Sequence, residues 1–129
     1  TQVKAEIKGE AQAEALYYLA EFDHVIEKYE ASNEQLFWMI ENLPTYPKWR
    51  WNSLLLMARN YAGVRDDFQA NYTLDFIIEN ADFGEYANQA SAFKAELALQ
   101  REREESNAVG VDSLIMDDFQ EELMEDLDE

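Results

Sequence analysis

A chain of 129 residues has room for one hydrophobic core, so function is sought on a single surface or groove. Glycine (4) and proline (2) are scarce, cysteine is absent, and the abundant Ala, Leu and Glu are helix formers; the composition points to an all-α fold and removes disulfides, thiolate metal sites and cysteine nucleophiles. The formal net charge of −18, from 10 Lys+Arg and 28 Asp+Glu, repels phosphate backbones and anionic lipid surfaces, which disfavours nucleic acid and membranes as partners.

The first predicted helix runs from Val3 to Ile26, where Ile7, Ala11, Ala15, Leu16, Leu19, Phe22 and Ile26 recur at helical spacing. No glycine marks its end, and the turn falls either just after Ile26 or at Ala31 to Asn33. Ser32, Asn33, Glu34 and Gln35 fit a capping box, after which a second helix carries Leu36, Phe37, Ile40 and Leu43. Pro44, Thr45, Tyr46 and Pro47 break the pattern, because proline cannot donate to a helix ladder and restricts its predecessor. A third helix, Trp49 to Ala62, presents Trp51, Leu54, Leu55, Ala58 and Tyr61. Gly63 then offers a left-handed C-terminal cap.

After Asp66 and Asp67 a fourth helix carries Phe68, Tyr72, Phe76, Ile77 and Ile78, until Asn80, Asp82 and Gly84 interrupt it. A fifth spans Glu85 to Glu105, with Tyr86, Ala90, Phe93, Leu97 and Leu99 among its apolar positions, and Ser106 to Val111 reads as a break containing Asn107 and Gly110. Residues 106–129 hold nine acids and no base, a composition that alone reads as disordered. Yet Ile115, Phe119, Leu123 and Leu127 recur every four residues, so Asp112 to Leu127 reads as a short amphipathic helix that orders against an apolar surface of its own chain or a neighbour's. Two domains result: residues 1–105 as the helical body and 106–129 as the acidic tail.

Enzymatic signatures are missing. His24 is the only histidine, no serine lies in a nucleophile elbow, and Glu21-Phe22-Asp23-His24 supplies only once a Glu-x-x-His spacing that a dinuclear carboxylate site needs twice. The tail's carboxylates lack the glycine and oxygen pattern of a calcium loop. The expectation is no catalytic residue, no metal site and no cofactor. No apolar run approaches the roughly 20 residues of a membrane span, and Thr1 to Lys8 lacks the apolar segment of a signal peptide.

One stretch reverses the sign of the charge. Asn42 to Arg65 contains Lys48, Arg50, Arg59 and Arg65 and no acid, with Tyr46, Trp49, Trp51 and Tyr61 among them. Either the tryptophans are core and the cations solvated, or the segment is a binding surface for acidic groups, the tail's among them.

The chain also repeats itself. Leu16, Leu19, Ala20, Ser32, Leu36 and Met39 pair with Leu54, Met57, Ala58, Ala70, Leu74 and Ile77, all 38 residues apart. These positions resemble the packing residues of tetratricopeptide repeats. More narrowly, Ala20-Glu21, Met57-Ala58-Arg59-Asn60-Tyr61, Asp67-Phe68-Gln69-Ala70 and Ile77-Ile78-Glu79-Asn80 are similar to the C-terminal repeats of envelope-associated proteins of Gram-negative bacteria. Pro44 stands where the family closes a repeat with proline and Asp82 departs from it; Asp23 replaces an aromatic, and the family's period is about 34.

The resemblance implies a right-handed stack of antiparallel helix pairs, capped by the fifth helix and followed by the acidic amphipathic helix. It implies a concave groove that receives protein or peptide, acidic chain ends included, with Asn52, Leu55 and Arg59 of the third helix and Tyr17, Glu21 and His24 of the first projecting into it. It also implies a cell-envelope location, the cytoplasm being the alternative. The function expected is that of a scaffold or adaptor; the alternative is a regulatory or chaperone-like protein whose acidic helix binds a basic client or self-associates.

Overall fold

The computed structural model describes the backbone of residues 2–43 and 46–128 and the side chains of residues 9–43 and 46–110. Among these residues five α-helices follow in order: α1 (Gln2–Val25), α2 (Tyr29–Asn42), α3 (Pro47–Gly63), α4 (Asp67–Asn80) and α5 (Gly84–Asp128). The all-α class is as expected, with no strand among the described residues. By its contacts the chain divides into two compact units, residues 1–94 and 95–129, and α5 runs from the first into the second.

In the first unit, three-residue turns join α1 to α2 and α3 to α4, making two helical hairpins. The turns are copies of each other. Glu27 donates its amide to the His24 carbonyl and Lys28 to that of Asp23; 38 residues on, Arg65 donates to Ala62 and Asp66 to Tyr61. This crossed pair of bonds is the Schellman motif, and it places one residue in the left-handed region. Glu27 (φ 64°) and Arg65 (φ 66°) take that place. The first turn thus lies at Ile26 to Lys28, not at Ala31 to Asn33.

Two local expectations are corrected by this geometry. Gly63 is not the left-handed cap, since Arg65 is; Gly63 is the last helical residue of α3, and a Cβ there would lie 2.7 Å from the Tyr29 ring. Close approach, not backbone freedom, calls for the glycine. Ser32 is not an N-cap either, because α2 begins three residues earlier, at Tyr29. Buried inside α2, Ser32 donates its hydroxyl to the Ala20 carbonyl (2.7 Å), and Gln35 donates its amide to the Asp23 carboxylate. Pro47 opens α3 at a first-turn position, where its missing N–H costs nothing.

The core forms two clusters, one between the hairpins and one between the second hairpin and the start of α5. Ala13 and Ala20 of α1, Leu36 and Met39 of α2, and Trp49, Leu56 and Met57 of α3 form one buried cluster; Trp51, Leu55 and Ala58 of α3, Leu74 and Ile77 of α4, and Tyr86 and Ala90 of α5 form the second. The first part of α5 thus covers the second hairpin, and Lys94 pairs with Asp75. Which apolar residues are inside differs from the periodicity. Leu19, Phe22 and Ile26 of the first predicted helix and Phe68, Tyr72 and Phe76 of α4 are exposed, while the small Ala13, Ala20 and Ala70 are fully buried. A helix stripe says that a face is apolar, not which apolar face meets the neighbour.

The second unit, 95–129, is the continuation of α5. It passes through the expected break at 106–111 without interruption, one isolated glycine costing only about 1 kcal/mol against the helix formers on both sides. Arg101 pairs with Glu104 one turn on at 3.2 Å. The apolar stripe expected from Asp112 to Leu127 lies outside the residues whose side chains are described.

Candidate functional site

A groove of about 190 Å³ is lined by Tyr17, Glu21 and His24 of α1, Asn52, Leu55, Leu56 and Arg59 of α3, and Gln89 of α5. Tyr17, Glu21 and His24 are spaced four and three residues apart and Asn52, Leu55 and Arg59 three and four, so each set forms one stripe facing the other. The five residues read as a binding set, Tyr17, Glu21, Asn52, Leu55 and Arg59, come together here, as does His24. Gln89 is an addition that no repeat position signals, because the covering helix lies outside the repeat.

Glu21 and Arg59 occupy equivalent places in the two hairpins, 38 residues apart, with opposite charges. The groove is therefore acidic on its first wall and basic on its second. The Tyr17 hydroxyl is pushed up to about 12 by burial first, then by the charge of Glu21 and the hydrogen bond to it, against the opposing pull of Arg59. Tyr17 thus remains a neutral donor at physiological pH and is turned toward Glu21. Across the groove, the Arg59 guanidinium lies over the Phe93 ring, 4.5 Å from its centroid. A cation–π contact of this kind restrains the guanidinium, and a guanidinium can grip a carboxylate through two parallel N–H bonds. Among the described residues, no carboxylate lies within ion-pair distance of Arg59 and no hydrogen-bond partner engages the Asn52 amide.

From His24, a polar network crosses the interface between the hairpins. Asn60, fully buried, donates its amide to Ser32 Oγ and to Asn33 Oδ1, both at 2.8 Å, and its Oδ1 accepts from His24 Nδ1 at 2.7 Å. Both donors and the acceptor of the Asn60 side chain are used. The bond to Asn60 fixes the His24 ring, which lines the groove, with Tyr29 packed edge-on at 5.3 Å between centroids. This is a structural role for the lone histidine, and nothing in its sequence surroundings signals it.

The basic stretch from Asn42 to Arg65 does not form one patch. Lys48 and Arg50 stand at the N-terminus of α3 over the rings of Trp49 and Trp51, while Arg59 lies about 14–16 Å further along the helix at ~1.5 Å per residue. Arg65 sits in the following turn. Trp49 and Trp51 are core residues, the plainer of the two readings. Only Arg59 of the four cations belongs to the groove.

No family model matches the chain, and neither curated proteins nor solved structures provide a match.

Proposed function

We propose that the protein is an interaction module of tetratricopeptide-like build, a scaffold or adaptor that binds a peptide rather than catalysing a reaction. In this reading the two hairpins are a right-handed stack, the start of α5 is its cap, and the groove between α1 and α3 receives an extended peptide carrying a carboxylate. The observation that supports it is the convergence of Tyr17, Glu21, Asn52, Leu55 and Arg59 on one groove, with the Arg59 guanidinium over the Phe93 ring. A carboxylate between Arg59 and Asn52 gains a charge-assisted pair on the basic wall, while Glu21 and Tyr17 favour a basic or hydrogen-bonding group on the other.

The test is a titration with fluorescent hexapeptides that end in Asp or Glu with a free carboxylate, against amidated versions. A charge-assisted bond of about 1.5–3 kcal/mol predicts that Arg59→Ala or amidation weakens binding by about tenfold to a hundredfold. Asn52→Ala weakens it less. Equal binding of free and amidated peptides would sink the carboxylate assignment.

A further inference from the structure

The two hairpins differ in what covers them. At the 38-residue offset, Ala11, Ala15, Tyr18, Leu19, Phe22 and Val25 of α1 stand where α3 has Trp49, Ser53, Leu56, Met57, Asn60 and Gly63. In α3 this face is the one that packs on the first hairpin. Trp49, Leu56 and Met57 enter its buried cluster, Ser53 donates to the Met39 sulfur at 3.3 Å, Asn60 bonds Ser32 and Asn33, and Gly63 receives the Tyr29 ring. In α1 the same face is largely exposed, Tyr18 meeting the Trp49 ring edge-on at its margin. Leu19 is 55% exposed against 5% for Met57, and Phe22 is 61% exposed against 0% for Asn60. Val25, the counterpart of the glycine that admits a ring, is 71% exposed.

We infer that this face of α1 is a docking surface for an amphipathic helix of another protein, one with an apolar ridge and lysines or arginines along one edge. The internal template supplies the first half of the argument, since α2 shows how a helix seats on this face when it is occupied. The ridge must be apolar throughout. Phe22 replaces Asn60, so an occupant with Ser and Asn at the places of Ser32 and Asn33 would bury polar groups with no partner. Charge supplies the second half. Glu10 and Glu14 are exposed along one edge of the face, and residues 9–25 contain no lysine or arginine.

A second copy of the chain is a poor occupant. Face-to-face pairing of α1 brings these carboxylates against their own copies in a chain of net charge −18. Head-to-tail stacking would use the corresponding ridge of α4, but Leu74 and Ile77 are already covered by Tyr86 and Ala90 of α5. This surface is distinct from the groove, because Leu19 and Phe22 lie about 140–160° around α1 from Tyr17, at about 100° per residue.

The experiment uses the full chain and a stapled helical peptide with the 14-residue register of α2, carrying apolar residues at the places of Ser32 and Asn33 and lysines on the edge that meets Glu10 and Glu14. Binding should be saturable and weaken with salt. Leu19→Glu and Phe22→Glu, both at exposed positions and checked for an unchanged helical spectrum, should each weaken it by about tenfold or more. Arg59→Ala should leave it unchanged, which separates this surface from the groove. Three results would overturn the inference: absence of binding, binding that survives Phe22→Glu, or a dimer of the free protein in sedimentation that Phe22→Glu dissociates.

Discussion

The hairpins α1–α2 and α3–α4 have the same backbone and opposite surroundings. Their turns repeat bond for bond, their second helices are both 14 residues long, and Asn42 and Asn80 each donate to the carbonyl four residues back. Yet the face that α3 buries, α1 exposes. Local geometry is therefore set by short-range rules that both segments satisfy, whereas the use of each face is set by a few side chains. Asn60 and Gly63 commit α3 to an internal neighbour; Phe22 and Val25 leave α1 without one. Substitutions at matched positions can break that comparison or sharpen it.

The largest difference is expected at Asn60 and Phe22. Asn60→Leu removes the donor to Ser32 and Asn33 and the acceptor for His24, all at a buried interface, and should cost about 3 kcal/mol of unfolding free energy. Phe22→Asn, the matched exchange on the exposed face, should change stability by no more than about 0.5 kcal/mol. Denaturant titration of both variants measures the contrast. Equal effects would mean that the α1 face is covered in solution.

A smaller contrast separates Gly63 from Val25. Gly63→Ala places a methyl group 2.7 Å from the Tyr29 ring, which must shift against His24, and should cost about 1–2 kcal/mol in thermal or denaturant unfolding. Val25→Ala should be nearly neutral, since its side chain is exposed. The double variant Gly63→Ala with Tyr29→Leu should recover part of the loss, which a helix-propensity effect would not allow.

These same residues separate what is legible in the sequence from what only packing decides. The offset of 38 is visible in six pairs of small or apolar residues, and the groove residues are what the resemblance of those pairs to tetratricopeptide repeats implies. Extended to the other positions of α1 and α3, the same offset sets Phe22 against Asn60 and Val25 against Gly63, a mismatch that marks a face used differently in the two copies. The Asn60 network is not legible, because Ser32, Asn33, Asn60 and His24 are ordinary cap and surface residues until tertiary packing joins them. Nor is the left-handed Glu27, since a charged residue in that conformation carries no signal of its own. Gly63 misleads for the converse reason: a glycine near a helix end satisfies both a cap and a close contact, and only the position of the Tyr29 ring decides between them. The uninterrupted α5 shows that a lone Asn and a lone Gly do not stop a helix when no proline or alternative hydrogen bond accompanies them.

The smallest effect, and the most direct test of whether the two turns are interchangeable, lies at their helix starts. Lys28 and Asp66 precede α2 and α4 with nearly the same backbone, φ −90° and ψ 65° against φ −93° and ψ 72°. Asp66 accepts from the Gln69 amide at 3.1 Å, whereas Lys28 makes no cap bond and sets a positive charge at the positive end of a helix. Lys28→Asp should therefore bond the Ala31 amide, the counterpart of Gln69, and add about 1 kcal/mol; Asp66→Ala should lose about the same amount. Thermal unfolding of the two variants reads the gain and the loss on one scale. A loss at Asp66 without a gain at Lys28 would show that the first turn does not hold its cap geometry by short-range rules alone, so that its likeness to the second is imposed by the packing of Tyr29 on α3.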